Sequence, residues 1–315
     1  MRAERLVYAD HSATTRLDPR VLHKMMPYLQ GEYGNASSLY RIGRRSREAV
    51  EEARKQVAEC LSAQPEEIFF TSCGTESDNW AIKGVAEQYA SRGRHIITTA
   101  VEHHAVLHAC AHLERQGYTV TYLPVDGEGC VQLAALERAL RSDTILVSVM
   151  MANNEVGTLE PIANIRDILR PRGILLHVDA VQAAGHLPLD VTDLGADLLS
   201  LSAHKFYGPK GVGCLYIRKG VQMPSFLDGG AQERGMRAGT ENVAGIVGMG
   251  EALRLACEDL PRHAKRLTAL RDRLIERVLT EIPDTLLNGP VENRLPGHTN
   301  FSFAGVDGEE LLLCL

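Results

Sequence analysis

Seven short apolar runs, separated by amphipathic stretches, constrain the fold of this chain more than any other feature. The runs are Ile68–Ser72, His95–Ala100, Thr119–Leu123, Thr144–Met150, Ile174–Asp179, Asp197–Ser202 and Cys214–Arg218. Each has the length of a strand and is bounded by polar or glycine-containing segments. Between them, Arg47–Leu61 places Val50, Ala53, Val57 and Leu61 on one helical face, and Glu76–Ala90 and Ile162–Leu169 are further helical stretches. Strands alternating with helices predict an α/β domain with a mostly parallel seven-stranded sheet. The runs are apolar nearly throughout, so helices are expected on both faces of that sheet. From about Glu241 the pattern turns helical, predicting two long helices over Glu241–Cys257 and Pro261–Glu281. A strand at His298–Phe303 and a helix from Gly308 to Leu315 complete a smaller α+β C-terminal subdomain.

The chain of 315 residues is 44% hydrophobic and 23% charged, as in ordinary soluble globular proteins. A net charge of -6 gives no electrostatic grip on nucleic acid or on an anionic membrane. The first fifteen residues contain no apolar core of signal-peptide length. The longest apolar stretch, Ile145 to Ala152, is interrupted by Ser148 and far too short to span a bilayer. Seven cysteines, at 60, 73, 110, 130, 214, 257 and 314, form no C-x-x-C and suggest no metal site. Free thiols of this kind fit a reducing, cytoplasmic setting. The last segment, Asp307-Gly-Glu-Glu-Leu-Leu-Leu-Cys-Leu315, opens like a helix and stops without a cap, so the chain is expected to be the front part of a longer protein. Cys314 reads there as helix core.

In open α/β sheets, sites form beyond the carboxyl ends of the strands. Five such junctions carry polar residues of complementary kinds. Cys73-Gly74-Thr75-Glu76-Ser77 opens a helix, where a small residue and free N–H groups suit an anion, although Thr75 could simply cap the helix. Glu102-His103-His104 follows the second run, and Asn153-Asn154-Glu155 follows the fourth. His104 and His108 have a spacing open to metal, but without an H-E-x-x-H they read as solvated helix surface. Asp179 ends the fifth run and Gln182 follows it. A carboxylate there could hold a metal, orient a histidine, pair with a protonated ring nitrogen, or cap the next segment.

The fifth junction is the most informative. Ser202-Ala-His204-Lys205 ends an apolar run and leads into the tight Phe206-Tyr-Gly-Pro-Lys-Gly211. A lysine fixed beside anion-binding donors is the arrangement a Schiff base needs, because burial and neighbouring positive charge make a neutral amine available. Phosphate donors, a ring-nitrogen carboxylate and such a lysine together describe a pyridoxal phosphate site. Nicotinamide binding fits poorly, since Gly245, Gly248 and Gly250 fall on a helical pattern and follow no strand; no G-x-x-x-x-G-K-[ST] is present.

These residues resemble the class V aminotransferase-like family of pyridoxal-phosphate enzymes, and within it the cysteine desulfurases of the NifS/IscS type. The resemblance runs through Tyr8-Ala-Asp-His-Ser-Ala-Thr-Thr15, Gly34-Asn-Ala-Ser-Ser38, Thr71-Ser-Cys-Gly-Thr-Glu-Ser-Asp-Asn79, Glu102-His103, Ala152-Asn-Asn-Glu-Val-Gly157, His177-Val-Asp-Ala-Val-Gln182, Ser202–Gly211 and Arg237-Ala-Gly-Thr-Glu-Asn242. It implies fold-type I, with residues 1–15 packing on the small domain, 16–250 forming the large cofactor-binding domain and 251–315 part of the small one. It implies that Lys205 bonds covalently to the cofactor and moves the substrate α-proton, that His103 stacks on the ring and joins in proton transfer, and that Asp179 pairs with the ring N–H. Gln182 would contact the phenolic oxygen, with Asn154 near that oxygen and the substrate carboxylate. Gly74, Thr75, Ser202 and His204 would hold the phosphate, and Thr240 would reach the phosphate of a neighbouring subunit, implying a homodimer. The implied reaction converts L-cysteine to L-alanine and passes the sulfur, as a persulfide, to an acceptor such as an iron–sulfur scaffold or a tRNA-thiolation protein.

The chain departs from the family pattern in one respect that matters. The family's nucleophilic cysteine lies in a Ser/Gly-rich loop, and none of the seven cysteines has that context. Cys73 is nearest the expected cofactor and reads as structural. Tyr40 stands where relatives often carry histidine. The 315-residue chain is therefore expected to bind pyridoxal phosphate without completing desulfuration. The alternatives are a selenocysteine lyase on the same scaffold and a catalytically silent, cofactor-binding subunit that docks on a sulfur-transfer complex.

Overall fold

A computed structural model describes residues 7–314. Helices α1 (Pro19–Gln30) and α2 (Arg41–Cys60) precede the first strand. The Asp18 carboxylate caps α1 by accepting from the N–H of Arg20. Seven strands follow: β1 (Ile68–Thr71), β2 (His95–Thr99), β3 (Thr119–Leu123), β4 (Thr144–Met150), β5 (Leu175–Asp179), β6 (Leu198–Ser202) and β7 (Gly213–Ile217). They make one sheet in the order β1-β7-β6-β5-β4-β2-β3. Only β7 runs against its neighbours, pairing antiparallel with both β1 and β6. The remaining pairs, β2 with β3 and β4, β4 with β5, and β5 with β6, are parallel. The expected seven-stranded, mostly parallel α/β sheet is what forms.

The apolar character of the strands has a cause in packing. Alternate residues enter separate hydrophobic clusters on opposite faces. Leu176, Val178, Leu199 and Leu201 join the cluster containing α1, α2, α6 (Ile162–Leu169) and the first part of α8 (Val243–Glu281). Leu146, Leu175, Leu198 and Leu215 join the one containing α3 (Gly74–Gln88) and α4 (His104–Glu114). On that second face the side chains turn polar toward the carboxyl ends: Leu175 is followed by His177 and Asp179, and Leu198 by Ser200 and Ser202. Shorter helices α5 (Leu133–Ala139) and α7 (Val191–Leu194) complete the connections.

The two helices expected after Glu241 are one. Helix α8 runs for 39 residues with Pro261 inside it. A proline withdraws one N–H and tends to break a helix. Here the far half is held by tertiary contacts: Arg271 and Ile275 are buried, and Arg271 donates to the carbonyl oxygens of Arg294 (3.4 Å) and Leu295 (3.2 Å). Residue 250 falls within this helix. The strands β8 (Thr285–Leu287) and β9 (Phe301–Phe303) pair antiparallel, and α9 (Gly308–Cys314) follows. Cys314 is exposed and is not core, because α9 buries none of its described residues.

Candidate active site

A cavity of about 510 Å³ opens at the carboxyl ends of β1, β2, β4, β5 and β6. Gly74, Thr75, His103, Asn154, Asp179, Gln182, Ser202, His204 and Lys205 all line it. Thr240 does not; it is exposed in the loop before α8. The structure thus brings nine of the ten expected residues together from five separate junctions.

Lys205 sits in a 3-10 turn, Ala203–Lys205, directly after β6. Residues 12–15 lie across this turn. The Lys205 ammonium donates to the carbonyl oxygens of Ser12 and of Ala13, the latter at 3.0 Å. The Thr15 N–H and hydroxyl both donate to the His204 carbonyl (2.9 and 2.8 Å), and the Thr15 hydroxyl accepts from the Tyr207 N–H (2.8 Å). Tyr207 is held at φ 63°, in the left-handed region, which reverses the chain just past the lysine. Burial lowers the Lys205 pKa, while the carboxylates of Asp10, Asp179 and Glu155 pull the other way.

The other groups are fixed by their own elements. Nδ1 of His103 caps α4 by accepting from the Ala105 N–H at 3.1 Å, so in the neutral ring the proton sits on Nε2. Burial, and then the charges of His104 and Lys205, lower its pKa. Asp179 accepts from the Val181 N–H at 2.9 Å. Burial raises its pKa to about 6, against the opposing pull of that N–H and of Lys205. Gln182 donates to the Ser12 carbonyl at 2.9 Å, and Asn154 to the Glu155 carboxylate at 2.8 Å. His204 Nδ1 is 3.1 Å from the Thr14 hydroxyl, and burial, with Lys205 and Lys210 nearby, lowers its pKa to about 4. His104 and His108 are exposed on α4, as expected of surface histidines, and no metal-binding group occurs among the described residues.

The donor set fits pyridoxal phosphate. The Ser202 hydroxyl is buried and has no hydrogen-bond partner among the described residues. It lies beside the start of α3, where the first N–H groups have no intrahelical acceptor. A Cβ on Gly74 would come within 2.7 Å of Val181 Cγ2 and 3.3 Å of Ser202 Cβ, closing the space an anion would take. Lys205 and Asp179 face the same cavity, as an aldehyde and a ring nitrogen require.

Sequence reasoning missed two contributors. The backbone carbonyls of Ser12 and Ala13 have no side-chain signature. Asp78 also lines the cavity; its position four residues after Gly74, hence on the same helical face, was the available signal.

Comparison with known proteins agrees with this geometry. The aminotransferase class-V family model matches residues 7–315. A cysteine desulfurase IscS of Dictyoglomus turgidum is 54% identical over 312 residues, covering 99% of this chain and 79% of that protein. A second, of Methanosarcina thermophila, is 55% identical over 309 residues, 98% of this chain and 76% of its own. Among solved structures, a NifS-like protein superposes with a TM-score of 0.95 at 45% identity, covering 98% of this chain and 84% of that one. SspA in complex with cysteine superposes at 0.88 with 34% identity, covering 98% and 87%.

Proposed function

This chain belongs to the class V aminotransferase family, a pyridoxal-phosphate-dependent family, and on that premise we propose that it is a cysteine desulfurase acting on L-cysteine. The observation that carries the reading is the convergence of Lys205, Asp179 and the Gly74–Ser202 cradle on one cavity.

Pyridoxal phosphate, when bound, supplies an electron sink for charge developed at the substrate's α-carbon. The chain's residues do the rest. Lys205 would hold the cofactor, and its amine, whose pKa burial lowers, would take the α-proton and later return it to Cα. Asp179 holds the ring N–H, and His103 presents its face and Nε2 to the reacting groups. Gln182 and Asn154 orient the phenolic oxygen and the substrate carboxylate. Gly74, Thr75, Ser202 and His204 hold the phosphate, and Thr240 serves a second copy of the chain in a homodimer. In the sulfur step a thiolate attacks the substrate's sulfur; the C–S bond breaks, its electron pair and a proton go to Cβ, and alanine and a persulfide result.

Among the described cysteines only Cys73 lines the cavity, next to Gly74 and Thr75, the residues that would hold the phosphate. A polypeptide of these 315 residues is therefore proposed to bind cofactor and cysteine without releasing sulfide. The persulfide sulfur would pass to an acceptor protein that offers a thiolate, as iron–sulfur scaffolds and tRNA-thiolation proteins do. The division into residues 16–250 and 251–315 is part of the same proposal. No described helix is long and apolar enough to cross a membrane.

Titration with pyridoxal phosphate tests the reading. A visible absorption band should develop, and L-cysteine should perturb it more than L-serine does. A chain that gains no band, or whose band ignores L-cysteine while responding to another amino acid, overturns the proposal. A stronger response to L-selenocysteine than to L-cysteine would favour the lyase.

A further inference from the structure

Beside Asp179, on the same cavity, lies a second carboxyl group that the function described above does not use. Asp78, on α3, packs against the polar end of the sheet face that carries His177, Asp179 and Ser200. It is 1% exposed, and its Oδ1 has no hydrogen-bond partner among the described residues.

The groups around Asp78 offer it no positive charge. His177 Nε2 is 3.7 Å from Oδ1, too long for a hydrogen bond. Both nitrogens of His177 are engaged by hydroxyls, Nδ1 by Ser148 at 2.8 Å and Nε2 by Ser200 at 2.9 Å. The ring is fully buried, and burial lowers its pKa to about 3, so it is neutral. The remaining titratable neighbours are Asp179, Glu102 and Cys73, none of them a cation. Among the described residues, Lys205 is the one positive group at this end of the cavity, and it acts on Asp179. Asp179 also has the Val181 N–H, which Asp78 lacks. Two buried carboxylates served by a single cation cannot both ionise at neutral pH.

We propose that Asp78 and Asp179 form a carboxyl pair that carries one proton, with Asp78 holding the proton and Asp179 holding the charge. Asp78 is thus a positioning residue: it sets a neutral acid beside Asp179, reserving the negative charge for the carboxylate that would meet the ring nitrogen. That consequence rests on the cofactor reading given above; the location of the proton does not. Burial first, and then the charge of Asp179, push Asp78 well above the usual carboxylate range, with the Ser200 hydroxyl opposing. The shift agrees with the arrangement of donors.

Infrared difference spectroscopy of the full chain at pH 7, with and without pyridoxal phosphate, locates the proton. Asp78→Asn should remove a protonated-carboxyl C=O band, whereas Asp179→Asn should remove a carboxylate band; Glu102→Gln identifies the band of the other buried acid. Loss of a carboxylate band in Asp78→Asn overturns the assignment. If that variant does not fold, ¹³Cγ-aspartate NMR of the unsubstituted chain decides: one buried aspartate still protonated at neutral pH supports the pair, and none overturns it. For the positioning role, Asp78→Asn should hold pyridoxal phosphate within about threefold of the unsubstituted chain, while Asp179→Asn loses about tenfold or more. Equal losses overturn it. A chain that keeps the infrared signature but never binds pyridoxal phosphate refutes the cofactor reading and the positioning role with it, and supports the proton assignment alone.

Discussion

Arg54 and Glu233 meet in a bidentate ion pair, each leg 2.8 Å long, with both side chains only 4% exposed. The pair also grips β1: Arg54 donates to the Ile68 carbonyl and Glu233 accepts from the Phe70 N–H, each at 2.8 Å. Glu233 and Arg234 are held at φ 46° and 58°, so the turn leading toward Thr240 depends on this anchor. Arg54→Ala leaves a buried carboxylate unpaired and should cost about 3–5 kcal/mol in urea unfolding. Arg54→Met combined with Glu233→Leu should lose much less than the sum of the single changes.

Lys205→Ala should leave the fold intact and abolish the visible absorption band gained with pyridoxal phosphate. Among the described residues the amine makes hydrogen bonds only to the Ser12 and Ala13 carbonyls, so its removal opens no core cavity. Circular dichroism beside the absorption titration checks both halves of the expectation.

Gly213→Ala should destabilise the chain by about 1–3 kcal/mol and weaken cofactor binding together. A Cβ there would meet the Cys73 carbonyl carbon at 2.6 Å and the Leu201 oxygen at 2.7 Å, both backbone atoms that cannot yield cheaply. Thermal unfolding and a pyridoxal phosphate titration on the same variant test the coupling.

His177 should contribute one proton to the acid response, beside the half-buried histidines His186, His204 and His298. The folded pKa of His177, about 3, lies below the ordinary imidazole value of 6.5, so its contribution to stability is fully present above pH 6.5 and is lost as pH falls toward 3. Within that window one proton corresponds to a slope of about 1.4 kcal/mol per pH unit. His177→Gln should flatten the slope of unfolding free energy against pH by about one proton. An unchanged slope would show the imidazole to be protonated in the fold.

Much of this architecture can be read from the residues alone. The seven strands of the large sheet were placed within a residue or two of their observed ends, because strands covered on both faces read as continuous apolar runs; β8 was missed, and the strand expected from His298 begins only at Phe301. The junction residues Gly74, His103, Asp179 and Lys205 were legible for a related reason: polar side chains at the ends of such runs need a purpose. Asp78 was hidden, since it falls within a helical pattern and only the packing of α3 on β5 and β6 shows what it faces. The carbonyls of Ser12 and Ala13 carry no side-chain mark. Pro261 was read as a break in α8, whereas contacts from the distant Arg294 and Leu295 hold the helix together.

The reversed strand β7 has a kinetic consequence. It lies between β1 and β6, antiparallel to both, so their carboxyl ends face the same edge of the sheet, and no other neighbouring strands are so far apart in sequence as β1 and β7. Closing a loop of that length is entropically the slowest pairing in the sheet, and the parallel core from β2 to β6 involves shorter closures. A folding chain would therefore possess its lysine turn before its phosphate turn is docked beside it. The ability to retain cofactor then marks the last stage of folding, and the first to disappear when β1 frays.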